Sequence, residues 1–576
     1  MRSSSPQSFR RVRKGRSSSG SSSIIAVSLF ALLAFSASFF VCIRYLYNSK
    51  GSDLLQEEGL PLNVLGRPFL AAPTAQHPEK ENRDGPKADH VRDMMRHAWT
   101  GYETYAWGMD ELNPVSCQGK LGVMGGNNGF SGLGASMVDA MSTLHLMEME
   151  EEFARAKDWV REKMDPSKGG DQDISFFETV IRLLGGLVSA YDLSGDKALL
   201  DIAEDLGDRL VGVFDGERSG IATNRAQLPL TRPDSRGSEQ VLIAEAFSNL
   251  VELGALGLRT GREDFQLKAE AGVRFLHARN ARYLVGESVT RSTGKSHGRS
   301  TVGAPADSYY EYLLKYWILG GKTDDHWRER WVNSVDEALR DLKLEAGEYK
   351  LVGDRQGKDT LPRVSHLGCF FPGNVALGVI SGAVQGDKAE EYLDFAEGMM
   401  MTCERLYSST ATGLGADSAV MNMDTGELHL QSNFYFQRPE VVESLFYLWR
   451  ATHDVRWREM AWSIIQAIDE HCRVECGYSG VRDATAVSPN QVKHDDVQQS
   501  WFLAETLKYL FLIFEDDSKI DIADGWVFNT EAHPVKAVSS FAPTIDWSYL
   551  ERSIVPWLSW TLPHVRRVVS LFSQSG

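Results

Sequence analysis

The sequence predicts an all-α fold, a ring of paired helices, and three observations carry that reading. After residue 90 the chain repeats one pattern, an apolar helix, a short turn and an amphipathic helix, as in "AYDLSGDKALLDIAEDLGDRL" and "WILGGKTDDHWRERWVNSVDEAL". The turns fall near Gly195, Gly261, Gly321, Gly386 and His453, at intervals of about 60–67 residues, which suits two helices plus loops and exceeds common solenoid repeats. Weaker turns near Met147 and Glu515 bracket the series and make seven. In each pair the first helix is the more apolar, so it belongs to an inner ring and the second to an outer one. Gly and Asp at the turns supply the helix stop and the next N-cap.

Ahead of the repeats, residues 1–23 form a Ser-rich tail carrying Arg10, Arg11, Arg13, Lys14 and Arg16. Residues 24–43, "IIAVSLFALLAFSASFFVCI", hold no charge over twenty positions, a length that suits a membrane-spanning helix better than the shorter apolar core of a signal peptide. Basic residues before the span favour a cytosolic N-terminus and a luminal remainder, a single-pass type II arrangement. Residues 44–88, with Pro, Gly, Glu and Lys prominent, read as a stem, 89–535 as the folded domain, and 536–576 as an extension whose end, "WLSWTLPHVRRVVSLF", is either an amphipathic membrane-surface segment or a further packing helix.

The net charge of −17, from 61 Lys+Arg against 78 Asp+Glu, argues against nucleic acid as a partner. No phosphate-binding G-x-x-x-x-G-K-[ST] loop, C-x-x-C pair or H-E-x-x-H is present. Beyond Cys42, five cysteines remain for an oxidising lumen, so at least one is unpaired or pairs between chains.

Within "DISFFETVIRLLGGLVSAY" (173–191) the chain places Glu178 and Arg182 in an otherwise apolar helix. Their i, i+4 spacing permits an ion pair. Burial of that pair fits either a satisfied structural bridge or a functional carboxylate with its partner. Asp307, Glu440 and Glu505 also lie in the apolar helices or the loops that enter them. Four carboxylates from distant positions are thereby candidates to converge on one cavity, for which an ordinary core has little use.

Seven segments then occur in order: "HAWTGYETYAWGMDELNPVS" (97–116), "FFETVIRLLGGLVSAY" (176–191), "ADSYYEYLLK" (306–315), "HLGCFFPGNVALG" (366–378), "RPEVVESLFYLWRATHD" (438–454), "FLAETLKYLFLIF" (502–514) and "VFNTEAHP" (527–534). Together they closely resemble glycoside hydrolase family 47, the class I α-1,2-mannosidases that trim N-linked glycans. The resemblance implies an (α/α)7 barrel, hydrolysis with inversion and a bound Ca²⁺. By matching positions, Glu178 corresponds to the general acid, Asp307 to a catalytic carboxylate and Glu440 to the general base, with Arg182 and Arg438 holding these carboxylates. Thr530 corresponds to the calcium ligand, Glu245, Glu443, Glu505 and Glu531 to acidic residues around metal and sugar, and His366 to a pocket histidine, which a buried, hydrogen-bonded role would fit equally well. Cys369 and Cys403 match the family's disulfide, while Cys117, Cys472 and Cys476 receive no assignment.

The residue types suit that chemistry. Inversion needs one protonated carboxyl at the leaving oxygen and one carboxylate activating water on the opposite face. Grouped carboxylates raise one another's pKa, and a hard cation suits carboxylate, Thr oxygen and water ligands. The sequence also departs from the family: "VDAMSTL" places Ser142 where an acid is usual, and "GLGAD" places Asp417 in a segment usually read as "GLSPE". Endoplasmic-reticulum members resemble this chain at "ADSYYEY" but carry an arginine two residues before the aspartate, where this chain has Pro305, which offers no side-chain donor. The expectation is therefore a membrane-anchored enzyme of the Golgi or endoplasmic reticulum that acts on high-mannose N-glycans of luminal glycoproteins, with the Golgi favoured. The competing expectation is a degradation-enhancing, lectin-like homologue with little hydrolysis.

Overall fold

The structure is a computed structural model that describes residues 84–122, 132–168, 173–215, 218–227, 238–516 and 518–538. The basic tail, the apolar 24–43 stretch, most of the stem and residues 539–576 lie outside these. Among the described residues no helix is long and apolar enough to cross a membrane. The first helix, Gly85–Tyr105, starts with Pro86 in its first turn, so the folded domain begins slightly ahead of residue 89.

The helices pair as the repeats predict. Ala135–Leu146, the helical run 176–194, Leu250–Thr260, Asp307–Leu319, Phe371–Ile380, Glu440–Thr452 and the run 502–512 are buried over most or all of their surface. Their partners, Glu150–Lys163, Lys197–Leu210, Glu263–Arg279, Asp325–Asp341, Asp387–Ser408 and Val455–His471, bury one stripe and expose the other. Each apolar helix packs on the next, and 502–506 returns to Ala135–Leu146, so among the described residues seven inner segments close a ring. Gly85–Tyr105 packs on Leu507–Leu512 and completes the last pair from the other end of the chain.

Local chemistry sets the corners. Gly195, Gly261 and His453 adopt left-handed conformations that stop an inner helix, and Asp196, Asp324 and Asp454 accept a backbone N–H two residues on to start an outer one. The outer helices dock through large side chains such as Trp327, Trp331 and Trp457, all at most 2% exposed. Gly378 makes room for Trp331, because a Cβ there would lie 2.0 Å from the indole ring.

An all-α reading misses the connections that lead into the inner helices, which fold into antiparallel strands. Gln240–Leu242, Gly286–Thr290, Ser296–Ser300, Asp354–Gln356 and Asp359–Leu361 form one sheet, and Arg363–Ser365, Ser418–Met421 and Leu428–Ser432 another. Strand pairing satisfies backbone groups that such long connections would otherwise leave unpaired. A last hairpin, Trp526–Phe528 with Pro534–Lys536, carries its 529–533 loop among the inner helices. Asn529 ties it there, donating through Nδ2 to the Ile181 carbonyl (2.8 Å) and Glu252 (2.7 Å) and accepting at Oδ1 from the backbone N–H groups of Glu531 (3.0 Å) and His533 (2.8 Å).

The cysteines resolve as Cys369–Cys403 and Cys117–Cys476, leaving Cys472 as a buried thiol. The second bridge joins positions 359 residues apart and so ties the start of the domain to its end. Peptide mapping without reduction should recover both linked pairs and alkylate Cys472 only after unfolding. Cys117→Ser should lower stability by about 2–5 kcal/mol in urea denaturation, as for removal of a native disulfide.

Candidate active site

The inner helices begin around a cavity of about 370 Å³, lined by eight carboxylate residues, Glu178, Glu245, Asp307, Glu311, Glu440, Glu443, Glu505 and Glu531, and by two arginines, Arg182 and Arg438. Apolar wall comes from residues that include Phe177, Ile181, Leu367, Phe370 and Trp501, and Pro305 and Thr530 also line it. Asp307 and Glu440 are the first residues of their helices, and Glu178 and Glu245 lie in first turns, where the helix dipole favours negative charge. Ser175 caps its helix by accepting the Glu178 N–H (3.3 Å), which fixes where Glu178 enters the cavity. A second cavity of about 300 Å³, beside the Cys369–Cys403 disulfide, has one carboxylate, Asp354, already bonded to Arg299 (2.7 Å).

Arg182 is the hub. Its Nε donates to Glu178 Oε2 at 2.8 Å, and its Nη1 reaches Asp139 (3.4 Å), Ser500 Oγ (3.1 Å) and Glu531. It is 4% exposed, and although burial opposes its charge, Glu531, Glu178 and Asp139 outweigh that and raise its pKa further. The expected i, i+4 pair is therefore present and buried. Arg182 lies in a π-helical stretch, Thr179–Leu184, and Glu505 in another, Phe502–Thr506. The wider turns change the angular offset between side chains, and such bulges recur at functional sites.

The remaining acids fall into distinct settings. Burial, then Glu311 and Glu440, push Asp307 up to about 7 against a backbone N–H bond from Ser308 (3.0 Å). Burial would raise Glu440 too, but His366, bonded through Nδ1 at 2.7 Å, and the field of Arg438 hold it below its usual range. Burial raises Glu443, although Lys315, at 3.5 Å, opposes this. Glu505 is driven well up by burial and by Glu531, Glu440 and Glu443, and makes no ion pair among the described residues. Glu245 is raised by burial and by Glu178.

Two expected residues are placed differently from the rest. His366 is not in the cavity wall: it is 1% exposed, lies behind Glu440 and is fixed on its other side by Tyr407 Oη (2.8 Å). That is the buried, hydrogen-bonded setting the sequence left open for it. Arg438 lines the cavity, but its direct partner is Asp417 (3.0 Å), so it acts on Glu440 only at longer range, while its guanidinium lies over Phe436 and Trp501. The other expected residues, Glu178, Asp307, Glu440, Arg182, Glu245, Glu443, Glu505, Glu531 and Thr530, share the one cavity.

Sequence reasoning missed Glu311, Lys315, Asp139, Trp501, Asn529 and Lys508. Glu311 and Lys315 were findable, since Asp307, Glu311 and Lys315 run at i, i+4, i+8 along one face of an apolar helix, the signal already used for Glu178. Lys315 bonds Glu311 and reaches the Asn529 carbonyl at 3.3 Å.

The donor set fits a hard divalent cation. Buried carboxylates exceed the cations beside them, and Thr530, a residue with a carbonyl and a hydroxyl to offer, lies in the same wall while its N–H is engaged by Tyr312 Oη (3.1 Å). Among the described residues no three His, Cys, Asp or Glu side chains group as a cage, so a cation here would draw on Thr530 and water.

Comparison with known proteins agrees with this geometry. The fold aligns with the α-1,2-mannosidase from Trichoderma reesei at a TM-score of 0.72 and 27% identity, covering 79% of this chain and all of that one. The chain is 37% identical over 468 residues to mannosyl-oligosaccharide 1,2-alpha-mannosidase MNS1 of Arabidopsis thaliana, covering 80% of each. It is 34% identical over 494 residues to mannosyl-oligosaccharide 1,2-alpha-mannosidase IB of Homo sapiens, covering 83% of this chain and 74% of that one. With the sequence model of glycosyl hydrolase family 47 matching residues 94–537, nearly the whole of the ring just described, the chain belongs to that family.

Removing Arg182 should leave Glu178, Asp139 and Glu531 buried without their shared cation. Arg182→Met should therefore lose about 3–5 kcal/mol of stability, read as a lower urea midpoint.

Proposed function

We propose that this chain is a calcium-dependent, inverting α-1,2-mannosidase that removes terminal mannose from high-mannose N-glycans in the secretory pathway. The observation that carries the reading is one cavity in which two carboxylates are driven apart, Asp307 up to about 7 and Glu440 below its usual range. Acid and base assignments follow from such a pair.

Glu440, ionised and oriented by His366, is placed to take a proton from water. Asp307 holds a proton near neutrality and supplies the leaving oxygen from its side of the cavity. Glu178, clamped by Arg182, completes that wall and orders the water or hydroxyl through which the proton travels. Trp501 and Phe370 give the sugar ring apolar faces to lie on. Thr530 and water would hold the cation, with Glu443, Glu505 and Glu531 around them accepting from that water, and the ion when bound supplies oxygen-coordination sites for a sugar diol.

The two disulfides fit an oxidising lumen, and the apolar 24–43 stretch fits a type II anchor of the Golgi or endoplasmic reticulum. Pro305 lies in the cavity wall where an arginine grip on one glycan branch is absent, which favours broad, Golgi-type trimming.

A time course with a nine-mannose N-glycan tests the function. Free mannose should accumulate and three or four residues should be lost progressively. Arrest at one single-cut isomer refutes the broad specificity, and binding without mannose release establishes the lectin-like alternative.

Glu440→Gln should lower kcat by roughly 10²–10⁴-fold, the usual contribution of a positioned acid or base. The wild-type kcat/KM should fall as pH rises through about 7, where Asp307 loses its proton. His366→Ala should shift the acid limb upward, because Glu440 without that bond takes a proton more readily. An acid limb unmoved by this change removes His366 from the account.

A further inference from the structure

Lys508 is fully buried in the Leu507–Leu512 helix and makes no ion pair among the described residues. Its Nζ donates to two neutral oxygens, Ser142 Oγ at 2.9 Å and the Ala532 carbonyl at 2.6 Å. A buried lysine is normally matched with a carboxylate, and this one is matched with a serine.

That serine is the start of a chain. Ser142 Oγ lies 3.3 Å from His533 Nδ1, and His533 Nε2 lies 3.2 Å from Asp139 Oδ1. Asp139 Oδ2 accepts from Arg182 Nη1 at 3.4 Å, and Arg182 Nε donates to Glu178 at 2.8 Å. Asp139, Ser142, His533 and Lys508 all have zero exposure. Three separate elements supply them, Ala135–Leu146, the last inner helix and the 529–533 loop.

The donors fix the direction of the chain. Because Ser142 Oγ accepts from Lys508, its own hydrogen is free to point at His533 Nδ1. Asp139, on the Arg182 guanidinium, presents an acceptor oxygen to Nε2, so the neutral imidazole carries its hydrogen there, donates it to Asp139 and leaves Nδ1 to accept from Ser142. Asp139 thus receives a hydrogen bond on each oxygen, one from His533 and one from Arg182. With His533 in the other tautomer, Nε2 would present a lone pair to a carboxylate, and Asp139 would turn away from Arg182.

We propose that Lys508, Ser142 and His533 are positioning residues that fix Asp139 on Arg182 and, through Arg182, the orientation of Glu178 in the active site. The relay rests on the mannosidase reading for its catalytic consequence, but its tautomer does not. The groups facing Lys508 are Glu505 from its own helix, Asp139 from Ala135–Leu146, and Glu531 and His533 from the hairpin loop.

Ser142→Ala removes the link and leaves the Lys508 bond to Ala532 in place, so it separates positioning from support of the hairpin. Its kcat on a high-mannose glycan should fall about tenfold, the lower end for partners one layer behind a site, with KM within twofold. Lys508→Met should act in the same direction, and the double variant should be no worse than the poorer single one. A Ser142→Ala enzyme with kcat within twofold of wild type, or losses that multiply, overturns the relay. Ring-¹⁵N spectra of histidine-labelled protein, with His533 assigned by its loss in His533→Gln, give a second readout. They should show a protonated Nε2 and a bare Nδ1 in the wild type and a mixture in Ser142→Ala. A wild-type Nδ1–H, or spectra insensitive to Ser142→Ala, refutes the relay. If the wild type releases no mannose, the mannosidase reading falls and the spectra still decide the relay, with Lys508→Met giving the same spectral comparison where Ser142→Ala does not fold.

Discussion

The active-site geometry depends on one buried guanidinium. Arg182 holds Glu178 from its own helix, Asp139 from the first inner helix and Glu531 from the C-terminal hairpin. Desolvating four charges is expensive, and the arrangement persists because Nε and Nη1 between them meet three carboxylates and the Ser500 hydroxyl. Three elements from residues 139, 178 and 531 are thereby brought to a common point, and the ring closes around it. A lysine would do this less well, since its ammonium is a point charge without the fixed, planar geometry of the guanidinium fork.

Around this node the ring gathers acid where the helices begin. Five of the cavity carboxylates, Glu178, Glu245, Asp307, Glu440 and Glu443, lie in the first turns of helices, so backbone N–H groups and helix dipoles offset part of the repulsion that their own desolvation creates. The rest is offset unevenly. Glu440 has a histidine and stays ionised, Asp307 has only a backbone N–H and a neighbouring acid, and Glu505 has no direct partner among the described residues. Chemistry follows from that unevenness, because a cavity with every acid equally paired would have neither a proton to give nor a base to take one.

The ring was legible in the sequence because helix stops and caps are local. Gly195, Gly261, His453 and the aspartates at 196, 324 and 454 act within a turn of where they stand. The Glu178–Arg182 pair was legible for the same reason, through spacing on one face. What was not legible is whatever depends on distant partners. The side of Glu440 on which His366 stands, the pairing of Arg438 with Asp417, and the choice of Cys476 over Cys472 for Cys117 are fixed by tertiary packing. The π-helical turns at 179–184 and 502–506 also escaped, since their i→i+5 bonds leave no periodic mark in so short a stretch. The strands that lead into the inner helices are three to five residues long, too short for alternation to stand out.

The central claim is that the cavity holds more buried carboxylate than its own cations neutralise, and that the hairpin loop at Thr530 is where a hard cation relieves the excess. Calorimetric titration of Ca²⁺ into chelator-treated protein tests it most directly. The account predicts one saturable site, a melting temperature that climbs with added Ca²⁺ because the ion binds only the folded state, and weakening of both in Thr530→Ala, which keeps the backbone carbonyl and loses the hydroxyl. A chelated protein that takes up no Ca²⁺ and melts at the same temperature with or without it contradicts the account.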